Sequence, residues 1–352
     1  MTDLQMNPPG GERAEGPAVV RSYMAIGDSL TEGLEDVAPD GGYRGFADRL
    51  AEHLSADEPR FRYANLAVRG RRMRHITGEQ LDRVLEERPD LVTVHAGGND
   101  VLRPGTDLDA LAAQLEEAVL RMRRAGVRVV LLSGHDTGWV PVLRIYRGRI
   151  AVFSMHLRAM AERTGADIVD LWAMEALNDP RAWSEDRLHF NGDGHRIVAA
   201  RIAEVLGQPM GPRELWAQPW DTPAVRLPRI LRRREHMRWA REYLMPWLGR
   251  RAMGRSSGDG REPKRPELAP FQPPPWAERG PREKVNGARP ETAGTVGGTD
   301  DRTDDRTGDG TGDGPPRING TPNGTPNGAA RVPDAGLEDG AGPVDAPEAT
   351  EA

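Results

Sequence analysis

Asp186 and His189 stand three residues apart in "SEDRLHF", so one turn of loop can aim a carboxylate and an imidazole the same way. A histidine paired like this suits general-base work, the carboxylate holding its tautomer and stabilising the imidazolium. The base needs a proton donor, and "AIGDSLTEG" at residues 25–33 offers one. There an apolar run stops abruptly on Gly27, Asp28 and Ser29. Glycine, aspartate and serine are also common loop residues and helix caps, so this stretch alone fits a cap as well as a nucleophile. Acyl transfer by Ser29 would further require donors for the developing oxyanion. Asn99 in "HAGGND" has a side-chain amide to give, beside the main-chain N–H groups of Ser29 and Gly70. Glycine at position 70 suits a backbone that must approach a substrate closely or turn through positive φ.

These residues are useful together only if the fold gathers them. Strand-like runs cover residues 19–26, 61–66, 91–96, 127–133 and 167–171; several are short, β-branched and apolar with little alternation. Helical periods lie between and after them, at 45–54, 78–87, 108–124, 142–163 and 194–206. The helix at 108–124 has acidic residues early, arginines late and Gly126 just beyond, as the helix dipole and C-cap rules prefer. Alternating strands and helices predict a parallel sheet between two helical layers. In such folds the loops at the carboxyl ends of the strands share one edge, where ligand sites form. Ser29, Gly70, Asn99 and the Asp186/His189 pair all fall in such loops.

Gly27-Asp28-Ser29-Leu30, Gly70 in "NLAVRG", Gly97-Gly98-Asn99-Asp100 and Asp186-Arg187-Leu188-His189 resemble, in order, the four sequence blocks of the GDSL, or SGNH, hydrolases. The resemblance covers about residues 20–208. It implies a flavodoxin-like three-layer α/β/α fold with a five-stranded parallel sheet. It also implies hydrolysis of carboxylic esters or thioesters, sometimes acyl transfer, with no metal or organic cofactor. Ser29 would be the nucleophile, His189 the base, Asp186 its partner, and Ser29, Gly70 and Asn99 the oxyanion hole. Phe190 departs from the proline that often follows the histidine, which puts the rigidity of that loop in question. Asp28 and Asp100 read as structural acceptors, His95 as a core histidine, His195 as a packing or capping residue, and His135 and Asp136 as loop structure. Two other functions compete. His95, Asp100, His135, Asp136, Asp186 and His189 have the chemistry of zinc or manganese ligands, but that reading leaves Ser29, Gly70 and Asn99 without a role. A catalytically degenerate domain serving as a membrane-surface or partner-binding scaffold is the second, although every group required for catalysis is present.

The formal net charge is −6, and there is no cysteine, so disulfides and thiol nucleophiles are excluded. The first 18 residues read as a flexible N-terminus without the apolar core of a signal peptide, which sets a cytoplasmic expectation. Residues 19–208 form the predicted hydrolase domain. Residues 209–253 are a basic, tryptophan-rich and partly helical extension. It is expected to dock on the domain, or to make peripheral contact with an anionic membrane through 211–255; nucleic acid is the least favoured partner. Residues 254–352 are rich in Gly, Pro, Asp and Thr, and their repeats "DDRTDDRTGDGTGDG" and "TPNGTPNG" predict disorder. Arg69, Arg71, Arg72 and Arg74 flank Gly70; they read first as arginine-rich surface, with a cationic rim for an anionic ester as the alternative.

Overall fold

β1 (Ser22–Gly27) shows why this chain folds in layers: every residue of it is buried, Tyr23 and Ala25 toward one core, Met24 and Ile26 toward the other. A strand apolar on both faces needs cover on both. A computed structural model describes residues 19–140, 143–222, 228–246, 249 and 256–277. After β1 come α1 (Ser29–Glu32), α2 (Phe46–Leu54), β2 (Arg62–Asn65) and α3 (Met73–His75). A π turn at Ile76–Gln80 leads into α4 (Leu81–Glu87), followed by β3 (Leu91–His95), α5 (Gly98–Val101), α6 (Leu108–Arg124), β4 (Arg128–Leu132) and α7 (Arg147–Thr164). β5 (Asp167–Val169) and α8 (Gly192–Val205) precede α9 (Glu214–Ala217), α10 (Arg229–Trp239) with a π turn at Ala240–Leu244, and β6 (Arg265–Pro270).

The strands are ordered β5-β4-β3-β1-β2-β6, and β1 to β5 pair in parallel. Phe46 and Leu50 of α2 join Ile197 and Ile202 of α8 over one face. Leu81 and Val84 of α4, Leu115 and Met122 of α6, and Phe153 and Met160 of α7 cover the other. The chain leaves β1 toward β2 on one side and toward β3 on the other. Ser29 therefore follows β1 at the point where strand order reverses, the crevice that favours a ligand site in open α/β sheets. No helix among the described residues is long and apolar enough to cross a membrane.

The five expected strands form within a few residues of their predicted bounds, but the sheet is neither five-stranded nor wholly parallel. β6 adds a sixth strand, antiparallel to β2, from the segment expected to be disordered after Gly254. Composition misleads here because an edge strand needs main-chain pairing and few apolar side chains. Pro266 and Pro270 are compatible with an edge. Leu268 is buried, and Phe271 stacks edge-on against Tyr63 at 5.3 Å. Lys264 anchors the segment, its Nζ donating to Glu32 O (2.6 Å), Tyr43 O (2.9 Å) and Asp48 Oδ2. The expectations for residues 1–18 and 278–352 lie outside the described residues.

Candidate active site

Gly27 ends β1 at φ 155°, and a Cβ there would lie 2.3 Å from Thr31 Oγ1 and 2.5 Å from His95 O. The chain can turn this tightly only without a side chain. Gln80 clamps the turn, accepting from Gly27 N–H (2.8 Å) and donating to Gly27 O (3.0 Å). Asp28 caps α1 by accepting from Leu30 N–H (3.4 Å). With Asp28 as the cap, the Ser29 hydroxyl is free of that duty. Its Oγ lies 2.9 Å from His189 Nε2. As the first residue of α1, Ser29 has an N–H with no acceptor inside the helix.

His189 Nδ1 lies 2.6 Å from Asp186 Oδ2. The other carboxylate oxygen accepts from Ser184 Oγ (2.6 Å), Leu188 N–H (2.8 Å) and His189 N–H (3.0 Å). Burial pushes the Asp186 carboxyl up, but the hydrogen bonds from His189, Ser184 and the Leu188 N–H outweigh it and hold the group down at about 2. An ionised Asp186 can only accept, so it holds the Nδ1–H tautomer and leaves the Nε2 lone pair facing the serine hydroxyl. Phe190 is fully buried, 4.5 Å from Trp183 and edge-on to His195 at 5.5 Å. Packing fixes the chain here, where a proline would do so by its ring.

Gly70 turns at φ 76°, and a Cβ there would meet Ser256 Oγ at 2.0 Å. Its N–H meets no acceptor among the described residues. The preceding Arg69 forms a buried ion pair with Glu32 and donates its N–H to Glu32 Oε2 at 2.7 Å, which pins this loop to α1. Arg69 is thus a structural cation and contributes no rim charge. Asn99 Nδ2 donates to Asp28 Oδ2 (3.1 Å) and Arg71 O (3.0 Å), bridging the Ser29 turn to the Gly70 loop.

The metal-ligand constellation is not gathered: no group of three or more His, Asp or Glu side chains fit to hold a metal occurs among the described residues. His95 is buried at the end of β3, 3.6 Å from Asp28. His135 lies 4.4 Å from the Trp183 ring, and Asp136 pairs with Arg147 at 2.6 Å. Asp100 accepts from Met73 N–H (2.8 Å), and His195 Nδ1 accepts from Phe46 N–H (3.1 Å) at the start of α2. Sequence reasoning missed Gln80, Ser184 and Trp239, whose indole N–H donates to Asp186 O at 2.8 Å. Ser184 had a signal in its spacing two residues before Asp186. Trp239 stood out only as one of several tryptophans in the extension.

Residues 25–197 match the GDSL-like Lipase/Acylhydrolase family. No curated protein matches the chain. Among solved structures, a variant of Axe2, an acetylxylan esterase from Geobacillus stearothermophilus, is 22% identical with a TM-score of 0.47, covering 55% of this chain and 97% of its own. LAE5, described as an alpha/beta hydrolase enzyme from the metagenome of Lake Arreo, is 25% identical with a TM-score of 0.46, covering 54% and 96%. The psychrotrophic esterase EstA from Pseudoalteromonas sp. is 18% identical with a TM-score of 0.43, covering 53% and 97%.

Proposed function

Residues 25–197 belong to the GDSL-like lipase/acylhydrolase family, and from that premise we propose that this ester hydrolase works through an acyl-enzyme on Ser29. Ser29 Oγ attacks the ester carbonyl while His189 Nε2 takes its proton. Asp186, ionised and fixed by three further donors, stabilises the imidazolium that results. The tetrahedral oxyanion is met by the N–H groups of Ser29 and Gly70 and by the Asn99 amide, which turns one hydrogen away from Arg71 O. Collapse expels the alcohol, protonated by His189. Water then attacks the acyl group with His189 again as base, releasing the acid and restoring Ser29.

The observation that carries this reading is the unbroken line Asp186–His189–Ser29, 2.6 and 2.9 Å long, at the switch point of the sheet. Fluorophosphonate labelling and turnover of chromogenic esters test it together. Ser29→Ala and His189→Ala should each lower kcat on the order of 10⁴–10⁶-fold, and Ser29→Ala should abolish labelling. Asn99→Ala should cost about 10²–10³-fold with KM nearly unchanged. Wild-type turnover in Ser29→Ala would sink the nucleophile assignment.

A second reading concerns where the substrate is met. Ile230, Met237 and Met245 stay exposed on α10 and just beyond it, among the exposed Arg233, Arg234 and Arg241. Apolar residues set among arginines favour an anionic lipid surface. The protein should pellet with anionic vesicles, and Met237→Glu should weaken that; equal pelleting of both forms removes the idea.

A further inference from the structure

The loop that carries Asp186 and His189 belongs to no strand or helix, and its central residue, Arg187, sits at φ 57°. A non-glycine residue keeps such a conformation only where its surroundings impose it. The surroundings here come from about fifty residues further along the chain. Trp239 of α10 is buried, and its indole N–H donates to the main-chain carbonyl of Asp186 at 2.8 Å. The Arg187 guanidinium lies 5.5 Å over the same indole and meets His236 Nδ1 at 2.7 Å. Tyr243 OH donates to Glu185 Oε2 at 3.1 Å. Residues 185, 186 and 187 are thus held by positions 243, 239 and 236. That spacing puts all three on one helical face. Ser256 and Gly258 pack against Gly70 and Arg69, so closely that a Cβ on Gly258 would fall 1.9 Å from Arg69 O.

We infer that the C-terminal extension is a working part of the catalytic apparatus, in which Trp239 is a positioning residue that fixes Asp186 and, through it, the aim of His189 at Ser29. The inference rests on the Asp186–His189–Ser29 reading given above. Trp239 touches neither substrate nor Ser29; its hydrogen bond stops the peptide beside the Asp186 carboxylate from rotating. Without it, the left-handed turn at Arg187 is held from the extension only by the ring and His236 contacts of the Arg187 side chain. The imidazole then samples positions from which Nε2 no longer meets the serine hydroxyl. A small misplacement of a base costs turnover and leaves binding alone.

Trp239→Phe in the full chain keeps an aromatic ring at this buried position and removes the donor together with part of the indole. It should lower kcat per folded molecule on the order of tenfold, with KM within about twofold, and slow fluorophosphonate labelling of Ser29 in proportion, beyond any fall in the folded fraction read by circular dichroism. Tyr243→Phe, at a partly exposed position, should lower kcat about two- to threefold through the loss of one hydrogen bond. It carries the test if the tryptophan variant fails to fold. Wild-type kcat in these variants overturns the inference, as does a loss of kcat that merely tracks a fall in folded protein. The Ser29→Ala control separates the two readings. If it stays active, the nucleophile assignment fails; if it is inert while Trp239→Phe matches wild type, only the role of Trp239 fails.

Discussion

Ser29 and His189 meet at 2.9 Å, yet the two regions that deliver them are built in opposite ways. Ser29 follows directly from β1, which is hydrogen-bonded to strands on both sides and buried along its whole length. Its turn is made by a glycine, capped by the next residue and clamped by Gln80. The Asp186–His189 loop is part of no sheet strand; beyond its own main-chain bonds, such as Ser184 N–H to His189 O at 2.9 Å, it is held by side-chain and packing contacts, several of them from Trp239, Tyr243 and His236 in the extension. Ser29 is therefore placed by the sheet itself. His189 is placed by the contacts that hold its loop. Damage to the first should appear as lost folding, and damage to the second as lost turnover in a folded protein.

Asp186→Asn tests the base side with the largest effect. The amide keeps the size of the carboxylate but can no longer stabilise an imidazolium, and it allows the wrong tautomer. A loss of about 10⁴-fold in kcat is expected, with KM little changed and Ser29 still in place. Esterase assays with circular dichroism as a folding control measure it. A loss below about tenfold would mean that His189 is oriented by something other than this carboxylate.

Gly27→Ala tests the nucleophile side and should fail in the other manner. The new Cβ would sit 2.5 Å from the His95 carbonyl, a backbone atom with nowhere to go, in the middle of the sheet. Destabilisation on the order of 3–5 kcal/mol is expected, read from urea unfolding, with activity falling in step with the folded fraction. A fully folded but inactive Gly27→Ala protein would contradict the contrast, because it would make the turn a catalytic device and not a load on the fold.

The same contrast explains what the sequence could and could not disclose. Each strand from β1 to β5 was legible because local apolar runs set it, and the order of elements fixed which loops share an edge. Ser29, Gly70, Asn99 and the Asp186/His189 pair could be proposed together for that reason. β6 was not legible: "RPELAP" has one buried apolar side chain, Leu268, and its stability comes from pairing with β2 and from Lys264, neither of which composition records. Trp239 was visible as a residue but not as a contact, since no periodicity tells which loop a docked helix will face. The partner of Arg69 was hidden for a similar reason. An arginine beside a substrate loop looks like a rim charge until Glu32 is found beneath it.

Acid should act on the two regions unequally, and this is the smallest of the expected effects. The Asp186 carboxyl is held at about 2 against its ordinary 3.8. Its contribution, on the order of 2 kcal/mol, is therefore complete above about pH 4 and lost as pH falls through about 2. His135, against Trp183 and facing Phe190, starts the decline earlier. Burial pushes its imidazole down from 6.5 to about 3, so the unfolded chain binds a proton that the folded protein refuses. Stability then falls as pH drops from about 6.5 toward 3. Burial of His195 adds a loss of the same sign. His135→Phe removes one of these protons and keeps the aromatic packing under the base loop. Urea unfolding at about pH 7 and about pH 4 should show a smaller drop for the variant than for the wild type, with kcat unchanged at neutral pH. Equal drops would place the acid sensitivity outside the aromatic cluster that carries Phe190.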